Sequence, residues 1–421
     1  MPEAEELNAT LANTHGAAHA CLSPMGRAAR FPTGIPAQAG EARGAELQAT
    51  IGQLTDGRGR AIVPGALDSL ARGDGSTAYL YSPVAGHPRL RELWRRRIAR
   101  EGRDTTASLP LVTLGLTHAL SICADLFADA DTDVLFPGPC WGNYRLTFGL
   151  RRQARLKTWD FYSSAGGLNI EGFADALAGI RDKGVVVLNF PGNPTGYSPT
   201  LAEAEQLMDV LAAHRGAPVA VIFDDAYHGF VFEEGIVRRS LFWEAVRRCS
   251  PDHVLPIKID GCTKELLFFG GRVGFLTFGV GDEASAALVD KAMTMTRGTV
   301  NCPPGPSQVM AAEALSSPLV DAQIAEIFER VRGRYTTLKQ ALAGLEGTGL
   351  TPLPFNAGFF ALIQAPEGVD VHALRRKILH EHSAGVIALP EVRALRVAFC
   401  SISKSDIPEL INRVRRGLEE A

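Results

Sequence analysis

The sequence predicts an α/β protein in which helices cover both faces of a largely parallel β-sheet. Three observations predict this class. Short apolar runs alternate with segments of helical periodicity from about residue 110 onward, and each run is bounded by Gly, Pro or Asp. The runs are continuous rather than alternating, as expected for strands buried on both faces. The length of 421 residues exceeds one usual hydrophobic core, so we expect more than one domain.

The elements of the large domain follow the apolar runs in chain order. Residues 111–114 are predicted to form a strand, a helix follows through Phe127, and 133–136 form the next strand. The further buried strands are predicted at 185–190, 219–224, 254–259 and 274–278. Strands separated by helices pair in parallel, which predicts one sheet with its strand ends at a common edge.

The pattern breaks at Pro303, Pro304 and Pro306, where a second domain is expected to begin. The elements predicted after the break are a long helix at about 319–345, a strand at 358–364, a helix at 371–382, a strand at 395–400 and a closing helix from about 404. We therefore predict a large domain at 76–309 and a small α+β domain built from 31–75 and 310–421. Residues 1–30 lack a convincing period, which predicts a mobile arm or an arm that clasps a partner subunit.

Composition excludes several classes of function. The net charge is −3, with 21% charged and 46% hydrophobic residues, which indicates neither a nucleic acid nor a membrane partner. The short arginine runs at 95–97 and 151–152 are interpreted as solvated faces. No apolar stretch approaches the roughly 18 to 20 residues of a membrane span, and the first thirty residues do not resemble a secretion signal. Seven cysteines without a Cys-x-x-Cys pair favour reduced thiols in the cytoplasm, and no metal site is expected.

Three stretches carry the chemistry, although each alone has an ordinary interpretation. Lys264 ends a predicted strand and is followed by Gly-Arg-Val-Gly around Arg272, which alone indicates a surface lysine. Asn193 lies in Asn-Pro-Thr-Gly, which alone indicates a turn. Asp224 opens Asp-Asp-Ala-Tyr-His-Gly-Phe at a strand end, where an aspartate more often caps a helix, although ligands also gather there.

Together and in this order, the three stretches resemble the fold-type I pyridoxal phosphate (PLP) enzymes. Within them the chain is most similar to the class I and II aminotransferases headed by aspartate aminotransferase, from about residue 50 to the C-terminus. The resemblance implies the PLP-dependent transferase fold, with a mostly parallel sheet of the seven-stranded type. It also implies a homodimer with shared active sites.

The resemblance implies four kinds of contact between the protein and the cofactor. Lys264 binds the cofactor covalently, and this requires a neutral amine, hence a pKa below the usual value of about 10.4. Asp224 keeps the ring nitrogen protonated, and Asn193 and Tyr227 donate hydrogen bonds to the phenolic oxygen. Trp141 stacks on the ring. Lys264, Asp224 and Tyr227 are the implied catalytic residues.

The phosphate group is assigned to a strand-to-helix turn and to cations. The turn is Gly115, Leu116 and Thr117, a partial match to the family pattern, and backbone donors at a helix start suit an anion. Thr263 and Arg272 add a hydroxyl and a guanidinium. Tyr81 reaches the phosphate of the neighbouring subunit. The family often has a serine three residues before the lysine, whereas this chain has Gly261, so one phosphate contact is expected to be missing or replaced.

The substrate is assigned to two arginines. Arg396 matches the arginine that binds the α-carboxylate, with Arg393 as its nearby competitor, and a planar guanidinium suits this contact. Gly52 and Asn193 are expected beside it. Arg297 matches the arginine that binds a distal carboxylate from the other subunit, although an arginine near a helix C-terminus also stabilises the helix dipole.

These assignments predict a ping-pong aminotransferase. The expected donor is an amino acid, with aspartate or an aromatic amino acid favoured, and the expected acceptor is a 2-oxo acid such as 2-oxoglutarate. The main alternative is a fold-type I lyase, decarboxylase, cyclase or oxidase of specialised metabolism. A non-catalytic regulator is the second alternative, but the roughly 50 residues before the matched region contain no basic recognition helix.

Overall fold

The computed structural model describes residues 35–57, 80–101 and 106–419, with isolated positions at 5, 6, 8, 9, 22, 62 and 65. The N-terminal arm expected at 1–30 lies outside the described residues, apart from the isolated positions 5, 6, 8, 9 and 22. In the described part of the chain, no helix has the length and apolar character needed to cross a membrane.

The regular elements are numbered in chain order. The strands are β1 Leu47–Gln48, β2 Leu111–Leu114, β3 Asp133–Gly138, β4 Arg155–Asp160, β5 Gly184–Leu188, β6 Val219–Asp224, β7 Val254–Gly261, β8 Val273–Phe278, β9 Thr351–Pro352, β10 Phe360–Gln364, β11 Ala384–Gly385, β12 Ile387–Leu389 and β13 Ala394–Ala398. The α-helices are α1 Ile35–Glu41, α2 Pro88–Ala99, α3 Leu116–Phe127, α4 Ile170–Ala178, α5 Leu201–Ala213, α6 Phe242–Arg248, α7 Cys262–Glu265, α8 Asp282–Thr299, α9 Gly305–Ser316, α10 Val320–Leu342, α11 Val371–His382 and α12 Ile407–Glu419. A π-helix spans Arg145–Leu150, and short 3-10 helices follow several of these elements.

A seven-stranded sheet forms the centre of the larger part of the molecule, in the order β2-β8-β7-β6-β5-β3-β4. Only β8 runs antiparallel to its neighbours β2 and β7, and the remaining pairs are parallel. The α/β class and the mostly parallel sheet predicted from the sequence are confirmed. The parallel strands place their carboxyl ends at one edge, where ligands of such sheets bind.

The central strands are apolar on both faces because both faces are covered. Along β5, Val186 and Leu188 enter one hydrophobic core and Val185 and Val187 enter the other. Successive side chains of a strand point to opposite faces, so a continuous apolar run serves two cores. The strand at the sheet edge, β4, was not predicted, because its side chains are mostly polar and only partly buried.

The smaller part of the molecule contains an antiparallel sheet of order β12-β13-β10-β9 and a parallel pair of β1 with β11. Helices α10, α11 and α12 pack around it. In α12, Ile407, Leu410, Ile411 and Val414 are buried, which is the spacing of one helix face. The chain segment that carries β1 packs in the same hydrophobic core as residues from the C-terminal part of the chain.

Along α10 the packing changes from the core of the large sheet to the core of the small domain. Ala311 in α9 and Val320 at the start of α10 pack with the large sheet, whereas Ile327 and Val331 pack with the small domain. We therefore propose a division within α10, later than the predicted boundary at 309/310. The run of Arg95, Arg96 and Arg97 lies on α2. Arg97 departs from the predicted solvated face, since its side chain is only 16% exposed and pairs with Glu265 and Asp321.

Candidate active site

A cavity of about 520 Å³ lies at the carboxyl edge of the large sheet and reaches the small domain. The sequence-predicted residues that line it are Gly52, Leu116, Thr117, Trp141, Asn193, Asp224, Tyr227, Thr263, Lys264, Arg272 and Arg396. The sheet topology explains this convergence. Leu116 follows β2, Trp141 follows β3, Asp224 ends β6 and Lys264 follows β7, so four loops that are distant in sequence meet at one edge.

The environment of Lys264 makes its ammonium group easier to deprotonate. Burial lowers the pKa of Lys264 to about 8, and the nearby cations Arg272 and Arg396 also lower it. Its Nζ lies 5.4 Å from the centre of the Tyr227 ring and 5.0 Å from that of Phe269. A lysine that loses its proton near neutral pH can act as a nucleophile and as a base.

Asp224 is buried and held by two donors. The hydroxyl of Tyr144 donates a hydrogen bond of 2.7 Å to Oδ2, and the Ala226 backbone N–H donates one of 3.2 Å to Oδ1. Burial raises the pKa of Asp224 to about 6, while the Tyr144 hydrogen bond lowers it. The backbone carbonyl of Asp224 accepts a hydrogen bond of 2.7 Å from the Asn189 side chain, so the strand end itself is anchored. A carboxylate of this kind suits a cationic ring nitrogen.

The loop after β2 forms a close-packed crossing beneath the cavity. Gly115 has φ +73°, and a Cβ there would lie 2.3 Å from Nη2 of Arg272. A Cβ on Gly274 would lie 2.6 Å from the backbone of Gly115. The absence of these two side chains lets Arg272 reach the start of α3, where a cation and helix N–H groups together suit a phosphate.

Gly261 has a steric reason to differ from the family serine. A Cβ at this position would lie 2.6 Å from the carbonyl oxygen of Val273 and 2.8 Å from Cα of Gly274. Both are backbone atoms of the neighbouring strand β8, so a larger residue requires the two strands to separate. The tight crossing thus excludes the serine hydroxyl, which leaves Thr263 as the neighbouring hydroxyl.

Arg396 lies at the substrate end of the cavity with part of its hydrogen-bonding capacity unused. Its Nη1 donates to Oδ1 of Asn193 at 2.9 Å and its Nη2 to the carbonyl of Thr50 at 2.7 Å. Its guanidinium lies 4.3 Å above the Phe360 ring, and burial lowers its pKa to about 10. Among the described residues Nε has no hydrogen-bond partner. Each Nη group has a second N–H, and these two donors could bind a carboxylate.

Gly52 contributes by lacking a side chain. A Cβ on Gly52 would lie 2.4 Å from the Phe360 ring, which also lies beneath the Arg396 guanidinium. The loop can therefore pack directly on the ring beside the arginine. This brings its backbone close to the position expected for a bound carboxylate.

The residues present fit PLP. Thr263 Oγ1 is buried, lines the cavity and has no hydrogen-bond partner in the described part of the chain. The donor set also matches the cofactor's chemistry, since Arg272 and the α3 N-terminus suit its phosphate, Asp224 its ring nitrogen and Lys264 its aldehyde.

Three predicted residues do not line this cavity: Gly115, which lies in the close-packed turn beneath it, Tyr81 and Arg297. Tyr81 is 88% exposed and lies beside Pro303 and Pro304 at a separate surface pocket. Arg297 is an exposed residue in the last turn of α8. Both had been assigned across a subunit interface, so their roles in a shared active site stay predictions.

Sequence reasoning missed several residues of the site. Tyr144 and Asn189 contact Asp224, and Arg43, Thr50 and Phe360 line the substrate end. Tyr144 belongs to the segment that was singled out for Trp141, three residues away, and its spacing of about one helical turn was the available signal. Arg43 had no such signal, because it precedes the region of resemblance.

Comparisons with known proteins show the family and the fold. The family model of aminotransferase class I and II matches residues 47–414. The arginine–pyruvate transaminase of Pseudomonas aeruginosa is 28% identical over 330 residues, which cover 78% of this chain and 77% of that protein. The cytoplasmic aspartate aminotransferase of Saccharomyces cerevisiae is 24% identical over 318 residues, covering 71% and 74%. The structure of kynurenine aminotransferase from Pyrococcus horikoshii in complex with PMP has a TM-score of 0.80 at 16% identity, covering 96% and 98%, which shows a common fold.

Proposed function

The chain belongs to the class I and II aminotransferase family, and we propose that it transfers an amino group from a dicarboxylic or aromatic amino acid to a 2-oxo acid such as 2-oxoglutarate. It is a PLP-dependent enzyme. Its named relatives act on different amino acids, so the choice of donor has to be argued from this chain's own cavity. The observation that carries the proposal is the convergence of Lys264, Asp224 and Arg396 on one cavity.

Each residue has a proposed task. Bound PLP withdraws electrons from the substrate and so acidifies the proton on its Cα. Asp224 holds the ring nitrogen in its protonated state, and Tyr227 and Asn193 orient the ring. Lys264 removes and returns the substrate proton, which requires the neutral amine that its lowered pKa favours. Arg396 binds the α-carboxylate and fixes the Cα within reach of Lys264.

The charge of the cavity supports a second carboxylate on the substrate. Among the described lining residues the cations are Arg43, Lys264, Arg272 and Arg396, and the only carboxylate is Asp224. The cofactor phosphate is matched to Arg272 and the α-carboxylate to Arg396. Arg43 is then left as a cation for a distal carboxylate, as in aspartate, glutamate or 2-oxoglutarate.

The surroundings of Arg43 support this assignment. Helix α1, which precedes it, is anchored to the small domain by two hydrogen bonds between Gln38 and Ala388, of 3.2 and 2.7 Å. Its acidic neighbours are engaged elsewhere, Glu41 with Arg375 and Glu46 with Arg413. No ion pair in the described part of the chain involves Arg43. An arginine on an anchored segment, with an open guanidinium, suits an anionic ligand.

We also propose a cytoplasmic homodimer in which Tyr81 and Arg297 contribute to the partner's site. The exposed Tyr81 beside Pro303 and Pro304 supports a subunit contact at this surface. The free thiols of Cys123, Cys140, Cys249, Cys262, Cys302 and Cys400 support a reducing compartment. Arg297 is the alternative residue for binding the distal carboxylate, and this role requires the proposed dimer.

A donor screen tests the proposed function. The purified protein with PLP is mixed with single amino acids, and the change in cofactor absorbance is followed before 2-oxoglutarate is added. We expect aspartate or glutamate to convert the cofactor, and 2-oxoglutarate to reverse the change. The Lys264→Ala variant should show no turnover. Conversion by neither dicarboxylic nor aromatic donors, or full turnover by Lys264→Ala, contradicts the proposal.

A further inference from the structure

A buried lysine lies directly behind the candidate active site. Lys258 in β7 is 2% exposed, and its Nζ forms ion pairs with Asp225 and, at 3.3 Å, with Asp260. All three side chains are buried on the face of the sheet opposite the cavity. Asp224 and Asp225 are consecutive at the end of β6, so Asp224 points into the cavity while Asp225 points to Lys258.

The pairing continues into neighbouring elements. Asp260 accepts a hydrogen bond of 2.9 Å from the Trp94 indole of α2, and Asp225 accepts one of 2.6 Å from the Ser240 hydroxyl. Lys258 thereby connects the ends of the two strands that lead to Asp224 and Lys264. Burying such charges costs free energy, and apolar residues of similar volume would hold the strands as well. Stability alone therefore does not explain the lysine.

The charge of Asp225 acts on Asp224. The two carboxylates are adjacent, and the Asp225 charge is among the causes that raise the pKa of Asp224 to about 6. An ammonium group paired with Asp225 opposes this effect, because it compensates the negative charge behind the site. Removing the ammonium would leave Asp225 and Asp260 as uncompensated buried carboxylates, of which Asp225 is adjacent to Asp224. Proton uptake by Asp224 would then be favoured near neutral pH.

We infer that Lys258 is a positioning residue for the cofactor: by pairing with Asp225 and Asp260 behind the sheet, it keeps Asp224 ionised and oriented toward the ring nitrogen. The inference rests on the proposed role of Asp224 and extends it to a residue that does not touch the cavity.

Other ionisable groups face this network and enter its pH response. Glu101 after α2 and His228 after β6 act on Lys258. Glu265 in α7 acts on Asp260 and lies beside Arg97 of α2. The Glu101 carboxylate and the His228 imidazole pair at 2.7 Å, which raises the pKa of His228 and lowers that of Glu101 despite their burial. Arg97 pairs with Glu265. These groups also act on the network through space, but among the described residues Lys258 is the cation in direct ion pairs with Asp225 and Asp260.

The test is a pH titration of the visible absorbance of bound PLP. In Lys258→Met we expect the midpoint pH of this absorbance change to rise by about 1 to 3 pH units. An uncompensated negative charge nearby shifts a pKa by about this amount. The double variant Lys258→Met with Asp225→Asn should return most of the way to the wild-type midpoint. Asp225→Asn alone is the mildest of these changes and should lower the midpoint pH. It provides the test if Lys258→Met does not fold.

Lys157→Met is the matched control. Lys157 also pairs with a buried carboxylate, at 2.8 Å from Asp133, but it lies on the edge strand β4 outside the site. We expect it to lower the Tm without moving the midpoint. An unchanged midpoint in Lys258→Met, or no recovery in the double variant, overturns the inference. Asp224→Asn distinguishes a failure of this inference from a failure of the proposed function. An unchanged midpoint pH in Asp224→Asn contradicts the proposed function itself.

Discussion

The hydroxyl of Tyr144 donates a 2.7 Å hydrogen bond to Oδ2 of Asp224, and both side chains are buried. Burial and the neighbouring carboxylate raise the pKa of Tyr144 well above its usual value, so the phenol keeps its proton and remains a donor. The bond stabilises the ionised form of Asp224 and directs one of its oxygens. The cofactor site therefore depends on a residue that was not predicted from the sequence.

We expect Tyr144→Phe to weaken cofactor binding. A hydrogen bond to a charged group contributes about 1.5–3 kcal/mol, so the Kd for PLP should rise by about 10-fold or more. Fluorescence titration of the apoenzyme measures this. Tyr162→Phe is the control, because the Tyr162 hydroxyl donates to the carbonyl of Pro354 at 3.0 Å and does not line the cavity. Equal Kd values in both variants would argue against a role for Tyr144.

The lowered pKa of Lys264 predicts how cofactor attachment depends on pH. Only the neutral amine can attack the cofactor aldehyde, and the neutral fraction rises as the pH passes the pKa of about 8. The rate of the absorbance change on mixing apoenzyme with PLP should therefore rise through about pH 8 and level off above it. A rate that keeps increasing toward pH 10 indicates an ordinary lysine pKa of about 10.4 and contradicts this prediction.

Arg396→Lys should impair substrate binding more than cofactor binding. The lysine keeps the charge but loses the planar donor set, which contacts Asn193 and Thr50 and has further Nη donors for a carboxylate. A loss of about 1.5–3 kcal/mol corresponds to a kcat/KM about 10- to 150-fold lower for amino acid donors. Arg393→Lys, on an exposed residue outside the cavity, should leave the kinetics unchanged. Similar losses in both variants would remove the reason for choosing Arg396.

Arg43 and Arg297 make opposing predictions for the distal carboxylate. If Arg43 binds it, Arg43→Ala should lower kcat/KM for aspartate, glutamate and 2-oxoglutarate by about 10-fold or more, and should have little effect on donors without a second carboxylate. Arg43→Lys, which keeps the charge, should retain part of the preference. The same selective loss in Arg297→Ala, with none in Arg43→Ala, would assign the carboxylate to Arg297.

Introducing the family serine at Gly261 should destabilise the protein. The new Cβ would lie 2.6 Å from the Val273 carbonyl, so β7 and β8 have to separate, and overpacking of this kind costs about 1–3 kcal/mol. Thermal unfolding of Gly261→Ser and of the control Gly270→Ser measures the difference. A Cβ on Gly270 meets no atom within 4 Å, so its Tm should change little. A Gly261→Ser protein as stable as the wild type contradicts the steric explanation.

The sequence by itself determined the fold class and predicted most of the residues that line the candidate cofactor cavity. The central strands were predictable because they are apolar on both faces, and α3 and α11 were predicted close to their observed bounds at Leu116–Phe127 and Val371–His382. Lys264, Asp224 and Asn193 were identified because the three motifs that contain them, taken together, resemble those of a known family. These features depend on local patterns, which a sequence records directly.

Only the tertiary structure decided which residues meet those groups. Tyr144 reaches Asp224 across 80 positions, Arg43 reaches the cavity because α1 is anchored to a strand about 350 positions later, and Lys258 acts from the hidden face of the sheet. Each contact depends on side-chain direction and strand order rather than on a local pattern. A lysine inside an apolar run therefore gave no sign of its partners, since the carboxylates that compensate it are brought together only when β6 and β7 pair.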